Sequence, residues 1–267
     1  MRTLRLLELD PDLGALLSAE RRDACRRELV VPVRRLVRGP WSIGGQDADP
    51  RHVGLLVVSG VVSREVVVSD TVSTELLGPG DVVRPWSIDS QPGLLRSTVR
   101  WNALTDTYVA LLDREVSAQL ARWPEVGVAL FDRLNDRAHR LATTQAISQL
   151  NGVDRRLLSL FWHLAERWGR MTPEGVAIPL TLSHRMLGQL IGARRPTVST
   201  AIGSLAERGE VERREDGTWL ITGEPVGEPS GATTRQIPLR RRLVGLDPVY
   251  AAESSGKRIQ TSTPPDG

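Results

Sequence analysis

Residues 180–210, LTLSHRMLGQLIGARRPTVSTAIGSLAERGE, constrain the chain more than any other stretch, because their apolar spacing suits two short helices joined by a tight turn. Ser183 is placed to cap the first helix, and Leu187, Leu190 and Ile191 follow at the i, i+3, i+4 spacing of one buried face. Gly192 breaks the pattern, since a glycine takes positive φ at no steric cost and lets the chain turn before a second helix begins near Arg195. Pro196 falls in the first turn of that helix, where its missing N–H costs nothing. Val198, Ala201, Ile202 and Leu205 form the second buried stripe and leave Arg195, Ser199, Thr200 and Gly203 off it.

The exposed face is thus small, polar and cationic at its N-terminal end, which suits the major groove: small side chains permit close approach, and a guanidinium spans the N7 and O6 acceptors of guanine. A reading helix offers its N-terminal residues to the bases. The DNA-facing set is therefore Ser183, Arg194, Arg195, Pro196, Thr197, Ser199 and Thr200. Downstream, an Asp216-Gly217 turn lies between two β-capable runs in residues 211–220, the sign of a short hairpin. Helix, turn, helix and hairpin together predict a winged helix.

This pattern resembles the DNA-binding domain of the Crp/Fnr transcription regulators, through Leu187-Gly188-Gln189-Leu190-Ile191-Gly192, then Arg195 and Thr197-Val198. The resemblance implies that Arg195 reads guanine, Thr197 contacts phosphate and Thr200 approaches the bases. Two positions depart from the family pattern: Pro196 replaces a residue that contacts a base in several members, and Arg194 stands where a Ser or Thr cap is common.

Upstream, residues 31–113 change to short β-rich runs (31–37, 52–58, 61–68, 73–76, 99–103 and 107–112) separated by turn signals such as Gly44-Gly45, Ser59-Gly60, Gly78-Pro79-Gly80-Asp81 and Gln91-Pro92-Gly93. Such spacing predicts a small antiparallel barrel or sandwich. The run HVGLLVVSGVVSREVVV followed by STELLGPGDVVRPW resembles the cyclic-nucleotide-binding β-roll of the same family. That fold holds a cyclic phosphate with a Gly-Glu step and, about ten residues on, an Arg-Ser or Arg-Thr pair. Here Val82-Val83-Arg84-Pro85-Trp86-Ser87 replaces the Gly-Glu step, whereas Arg96-Ser97 matches the pair. The candidate ligand residues are Arg96, Ser97 and Trp86, for an effector of unknown identity other than cyclic AMP. The remaining tryptophans are expected to pack cores and interfaces.

From Pro124 a long helix is expected, with Leu130, Leu134, Ala138, Leu141 and Gln145 as a narrow seam flanked by Asp132, Arg133, Asp136, Arg137 and Arg140. A narrow seam suits pairing with a second copy, which would set two reading helices about 34 Å apart, one DNA turn. Asn151-Gly152 ends the helix, and a further helix over 154–168 opens the DNA-binding domain. The expected fold class is α+β, in five parts: a helical extension over 1–30, a β-roll sensor over 31–122, a dimerisation helix over 123–150, a winged helix over 151–222 and a disordered tail over 223–267 that is rich in Pro, Gly, Ser and Thr.

Composition excludes several alternatives. Cys25 is the only cysteine, which rules out an internal disulfide or a multi-cysteine cluster and points to a reducing cytoplasm. No apolar run approaches the roughly 20 residues of a membrane span, and MRTLRLLELDPDLG is too acidic for a signal peptide. The four histidines (52, 139, 163 and 184) lack metal-ligand spacing, no glycine-rich phosphate loop follows a strand, and neither catalysis nor a cofactor is expected. The net charge is only +3, and all 35 basic residues but Lys257 are arginine, so the position of the arginines counts for more than their number. The expectation is a cytoplasmic, homodimeric transcription regulator that binds double-stranded DNA, with RNA polymerase as a further partner by family resemblance. The alternative is an effector-binding protein that uses its winged helix to engage protein partners.

Overall fold

A computed structural model describes residues 2–42, 49, 51–87 and 94–225. The Gly44-Gly45 and Gln91-Pro92-Gly93 turns, and the tail from residue 226 on, lie outside the described residues.

The chain opens with β1 (Arg2–Arg5), α1 (Leu6–Leu9), a 3₁₀ turn at Pro11–Gly14 and α2 (Ala19–Glu28). The roll follows as β2 (Val30–Leu36), β3 (Gly39–Trp41), β4 (Gly54–Ser59), β5 (Val62–Val68), β6 (Thr71–Leu77), β7 (Val82–Val83), β8 (Ser97–Ala103) and β9 (Thr107–Leu112). These strands make two antiparallel sheets, in the orders β1-β2-β9-β4-β7 and β3-β8-β5-β6. All six predicted strands are present, within three residues at each end. The three that were not predicted are short or charged: β1 is RTLR, β3 contains Pro40, which an edge strand tolerates, and β7 has two residues. The first residues are therefore not a helical extension throughout. β1 pairs with β2, and the longest helix of this part is α2, whose N-cap Ser18 accepts a hydrogen bond from the Arg21 amide.

After α3 (Arg114–Leu120) comes α4 (Pro124–Ser148), the longest helix, then α5 (Val153–Trp168), β10 (Arg170–Thr172), β11 (Gly175–Ile178), α6 (His184–Ile191), α7 (Arg195–Glu207), β12 (Val211–Arg213) and β13 (Trp219–Ile221). The last four strands form one sheet, β10-β11-β13-β12. Residues 170–178 form a hairpin whose second strand pairs with β13. No helix among the described residues is long and apolar enough to cross a membrane.

Strand alternation gives β5 and β6 two roles. Val62 and Leu77 face the roll interior with Leu55, Val83 and Leu111, whereas Val61 and Leu76 join the core of the C-terminal half, built on Leu157, Phe161, Leu187, Ile191, Val198 and Trp219.

The arginines of α4's charged flanks face inward. Arg137 makes a bidentate pair with Glu75 of β6 (Nε at 2.6 Å, Nη2 at 2.8 Å), and Arg64 of β5 reaches the same carboxylate at 3.2 Å. Arg133 clasps the buried Asp10 at 3.1 Å, and Arg140 pairs with Asp81, whose other oxygen lies 2.7 Å from Arg167 of α5. The seam shifts accordingly. Leu130 is buried within its own chain, and the apolar residues left exposed are Val128, Phe131, Leu134 and Leu141.

Burial raises the Glu75 pKa, but the two guanidiniums outweigh it and hold the carboxyl below its ordinary value of 4.5. A depressed folded pKa stabilises the protein above the unfolded value, and that stability is lost as pH falls through about 4.5 and below. Glu75→Gln leaves two buried guanidiniums without their counter-ion. It is expected to cost about 3–5 kcal/mol in denaturant unfolding at pH 7 and to flatten the acid limb of the stability profile. An unchanged midpoint in urea refutes this account.

Candidate nucleic-acid interface

The helix-turn-helix forms by local rules. Ser183 caps α6, its Oγ accepting from the Met186 amide at 3.2 Å, and Gly192 closes that helix in the left-handed region at φ 68°. Gly188 lets the helices meet closely, since a Cβ there would lie 2.4 Å from the Ala193 carbonyl oxygen. Arg194 is the N-cap of α7 without a side-chain cap bond, and Pro196 sits in the first turn. Leu187, Leu190 and Ile191 are buried, as are Val198, Ala201, Ile202 and Leu205.

The opposite face is open. Arg194, Arg195, Pro196, Thr197, Ser199 and Thr200 are all exposed, and neither Arg194 nor Arg195 has an ion-pair partner among the described residues. Ser199 donates to the Arg195 carbonyl at 3.1 Å and Thr200 to the Pro196 carbonyl at 3.3 Å, which leaves both hydroxyl oxygens as acceptors. The cap bond of Ser183 uses its oxygen and not its proton. The wing is the β12–β13 hairpin, closed by Gly217 at φ 81° and by Asp216, which accepts from the Thr218 amide at 2.9 Å. Arg213 lies over the ring of the buried Trp219, 5.7 Å from its centroid.

His184 is the residue of this face that sequence reasoning missed. Its Nδ1 lies 2.8 Å from Ser199 Oγ, and its ring is 6.2 Å from that of Trp219. The available signal was a histidine directly after the cap.

The ligand candidates are spread out. Trp86 packs against the apolar cluster inside the roll and meets His52 edge-on at 6.0 Å, while Arg96 and Ser97 are exposed where β8 begins.

Residues 155–223 match a family model described as a Crp-like helix-turn-helix domain. Over 150 residues the chain is 31% identical to the CRP-like cAMP-activated global transcriptional regulator of Mycobacterium tuberculosis, covering 55% of this chain and 64% of that one. The chain is thus similar, over its C-terminal part, to Crp-like regulators. It also matches the global nitrogen regulator of Synechocystis sp. at 28% identity over 166 residues, 60% of this chain and 72% of the relative. The chain thus spans just under two thirds of the length of the mycobacterial relative. Among solved structures, a CooA mutant from Carboxydothermus hydrogenoformans aligns with TM-score 0.57 at 21% identity, covering 72% of this chain and 83% of that one. A cyclic nucleotide-binding domain containing protein from Listeria monocytogenes aligns with TM-score 0.59 at 15% identity, covering 80% and 97%. At these identities the structures share the fold alone: an antiparallel roll, a long helix and a winged helix.

Two glycines test how the helix-turn-helix is packed. Gly188→Ala forces a contact with backbone and is expected to destabilise by about 1–3 kcal/mol. Gly203→Ala, in α7 with nothing within 4 Å of the added carbon, is expected to stabilise by about 0.5–1 kcal/mol. Thermal unfolding of the two variants gives both signs, and a reversal of either contradicts the packing described.

Proposed function

We propose that this chain is a cytoplasmic transcription regulator that binds a near-palindromic duplex operator as a homodimer and does no catalysis. The exposed N-terminal half of α7 carries the reading: two arginines without carboxylate partners among the described residues project beside small hydroxyl-bearing residues, with the wing alongside. Arg195 would reach a guanine edge, Thr197 a phosphate, and Thr200 the bases, with Arg194, Pro196, Ser183 and Ser199 lining the same approach. The regulators among its relatives support this reading.

Dimerisation would use α4. With its arginines turned inward, the helix leaves Phe131 69% and Val128 51% exposed, and Leu134 and Leu141 40% each, a stripe that a second copy of the helix would cover. RNA polymerase is the further partner in this proposal. The roll would serve as the sensor, with Arg96, Ser97 and Trp86 nearest the family's ligand position. Lacking the glutamate of the Gly-Glu step, it would take an effector other than cyclic AMP.

Selection of bound duplexes from a randomised library is expected to return a two-fold symmetric motif. Arg195→Ala should cost about 1–3 kcal/mol of operator affinity and blur one base pair in each half-site. Phe131→Asp should yield monomers by sedimentation and lose the symmetric motif. An unaltered motif in the arginine variant, or a duplex affinity indifferent to salt, sinks the proposal.

A further inference from the structure

His184 lies where the two helices of the reader and its wing converge. It is the first residue of α6, half-buried, with Ser199 of α7 against its Nδ1 and Trp219 of β13 against its ring. Because the Ser199 hydroxyl donates to the Arg195 carbonyl, the 2.8 Å bond is made by His184 Nδ1–H donating to Ser199 Oγ. The imidazole therefore fixes one side chain of the reading face and ties the first turn of α6 to the N-terminal half of α7.

That hydrogen bond also determines where a second proton goes. With Nδ1 already protonated, acid adds a proton at Nε2, so the bond to Ser199 survives and the site gains a positive charge. In the free protein this gain is opposed. Burial comes first, then Arg213 of the wing and Arg195 of α7, and together they hold the imidazole below its ordinary pKa. Arg185 follows on α6 itself, the positive end of the α6 dipole lies at the same place, and no carboxylate acts on the ring strongly enough to reverse the shift. A duplex laid on this face brings phosphates to those cations and reverses the balance.

We infer that His184 is a positioning residue of the reader which holds Ser199 in place and takes up a proton when duplex binds, so that operator affinity rises on acidification. The inference rests on the proposed DNA reading. By linkage, a proton bound more tightly in the complex than in the free protein makes affinity climb as pH falls.

The test uses the full-length protein and a duplex from the selection above, with dissociation constants measured at pH 7.5 and 5.5 and fixed ionic strength. His184→Gln retains a neutral N–H donor for Ser199 and cannot charge. Wild type is expected to gain affinity over this interval by about three- to tenfold more than His184→Gln, and the His184 ring resonances should titrate at higher pH in the complex than in the free protein. Ser199→Ala should weaken specific binding while keeping the wild-type pH slope. Equal pH slopes in wild type and His184→Gln, with both binding duplex, overturn the inference and leave the DNA reading standing. If neither binds any duplex at either pH, the DNA reading fails and takes the inference with it.

Discussion

Helix α4 is clasped to the N-terminal half by arginines 133, 137 and 140, spaced so that each meets a different buried carboxylate, and the arrangement of the molecule depends on those three pairs. Asp10 comes from the first turn of chain, Glu75 from the middle of β6, and Asp81 from the turn leading to β7. Burying charges is costly, and the cost is offset only where every lone pair has a donor. Glu75 meets this with two guanidiniums. Asp81 does so with two more and the Gly78 amide at 2.9 Å. Asp10 shows the limit of the device: its burial outweighs Arg133, and its carboxyl is held above the ordinary pKa.

The clasp reverses part of the usual amphipathic arrangement of the helix. Its three arginines point into the protein, and part of its apolar row faces outward. Leu130 and Val126 stay with the core, while Phe131, one residue on, is left at 69% exposure. This is why the seam was only half legible in sequence. Periodicity located the helix and its register within a residue, but it treated arginines as a solvated flank. A guanidinium opposite a buried carboxylate and one opposite water look the same until the strand that supplies the carboxylate is in place.

The helix-turn-helix was legible for the opposite reason. Ser183, Gly192 and Pro196 act on the residues next to them through a cap, a left-handed turn and a fixed φ, so their effects follow from short spacings alone. The strands 52–58, 61–68 and 107–112 were likewise marked by β-branched runs between turns. β1 and the β10–β11 hairpin were not, because arginine-rich or three-residue segments become strands only when a longer neighbour offers its edge. His184 belongs with them: its bond to Ser199 spans fifteen residues and requires both helices to be packed.

Three successive residues of β6 show how the two halves are joined. Glu75 points into the roll, to Arg64 and Arg137, while Thr74 and Leu76 point the other way. Thr74 donates to Gln189 of α6 at 3.2 Å, and Leu76 packs in the core of the C-terminal half. Next in line, Gly78 abuts the Trp168 indole, where an added Cβ would lie 3.1 Å from Nε1, and Arg167 donates to the Pro79 carbonyl at 3.0 Å. One strand therefore carries the roll's contact with α4 on one face and its contact with the reader on the other. Because the alternation of a strand is fixed, a shift of β6 by one residue exchanges the two faces, placing Glu75 against the apolar core of the reader and Leu76 against Arg137. The roll and the reader share a single register.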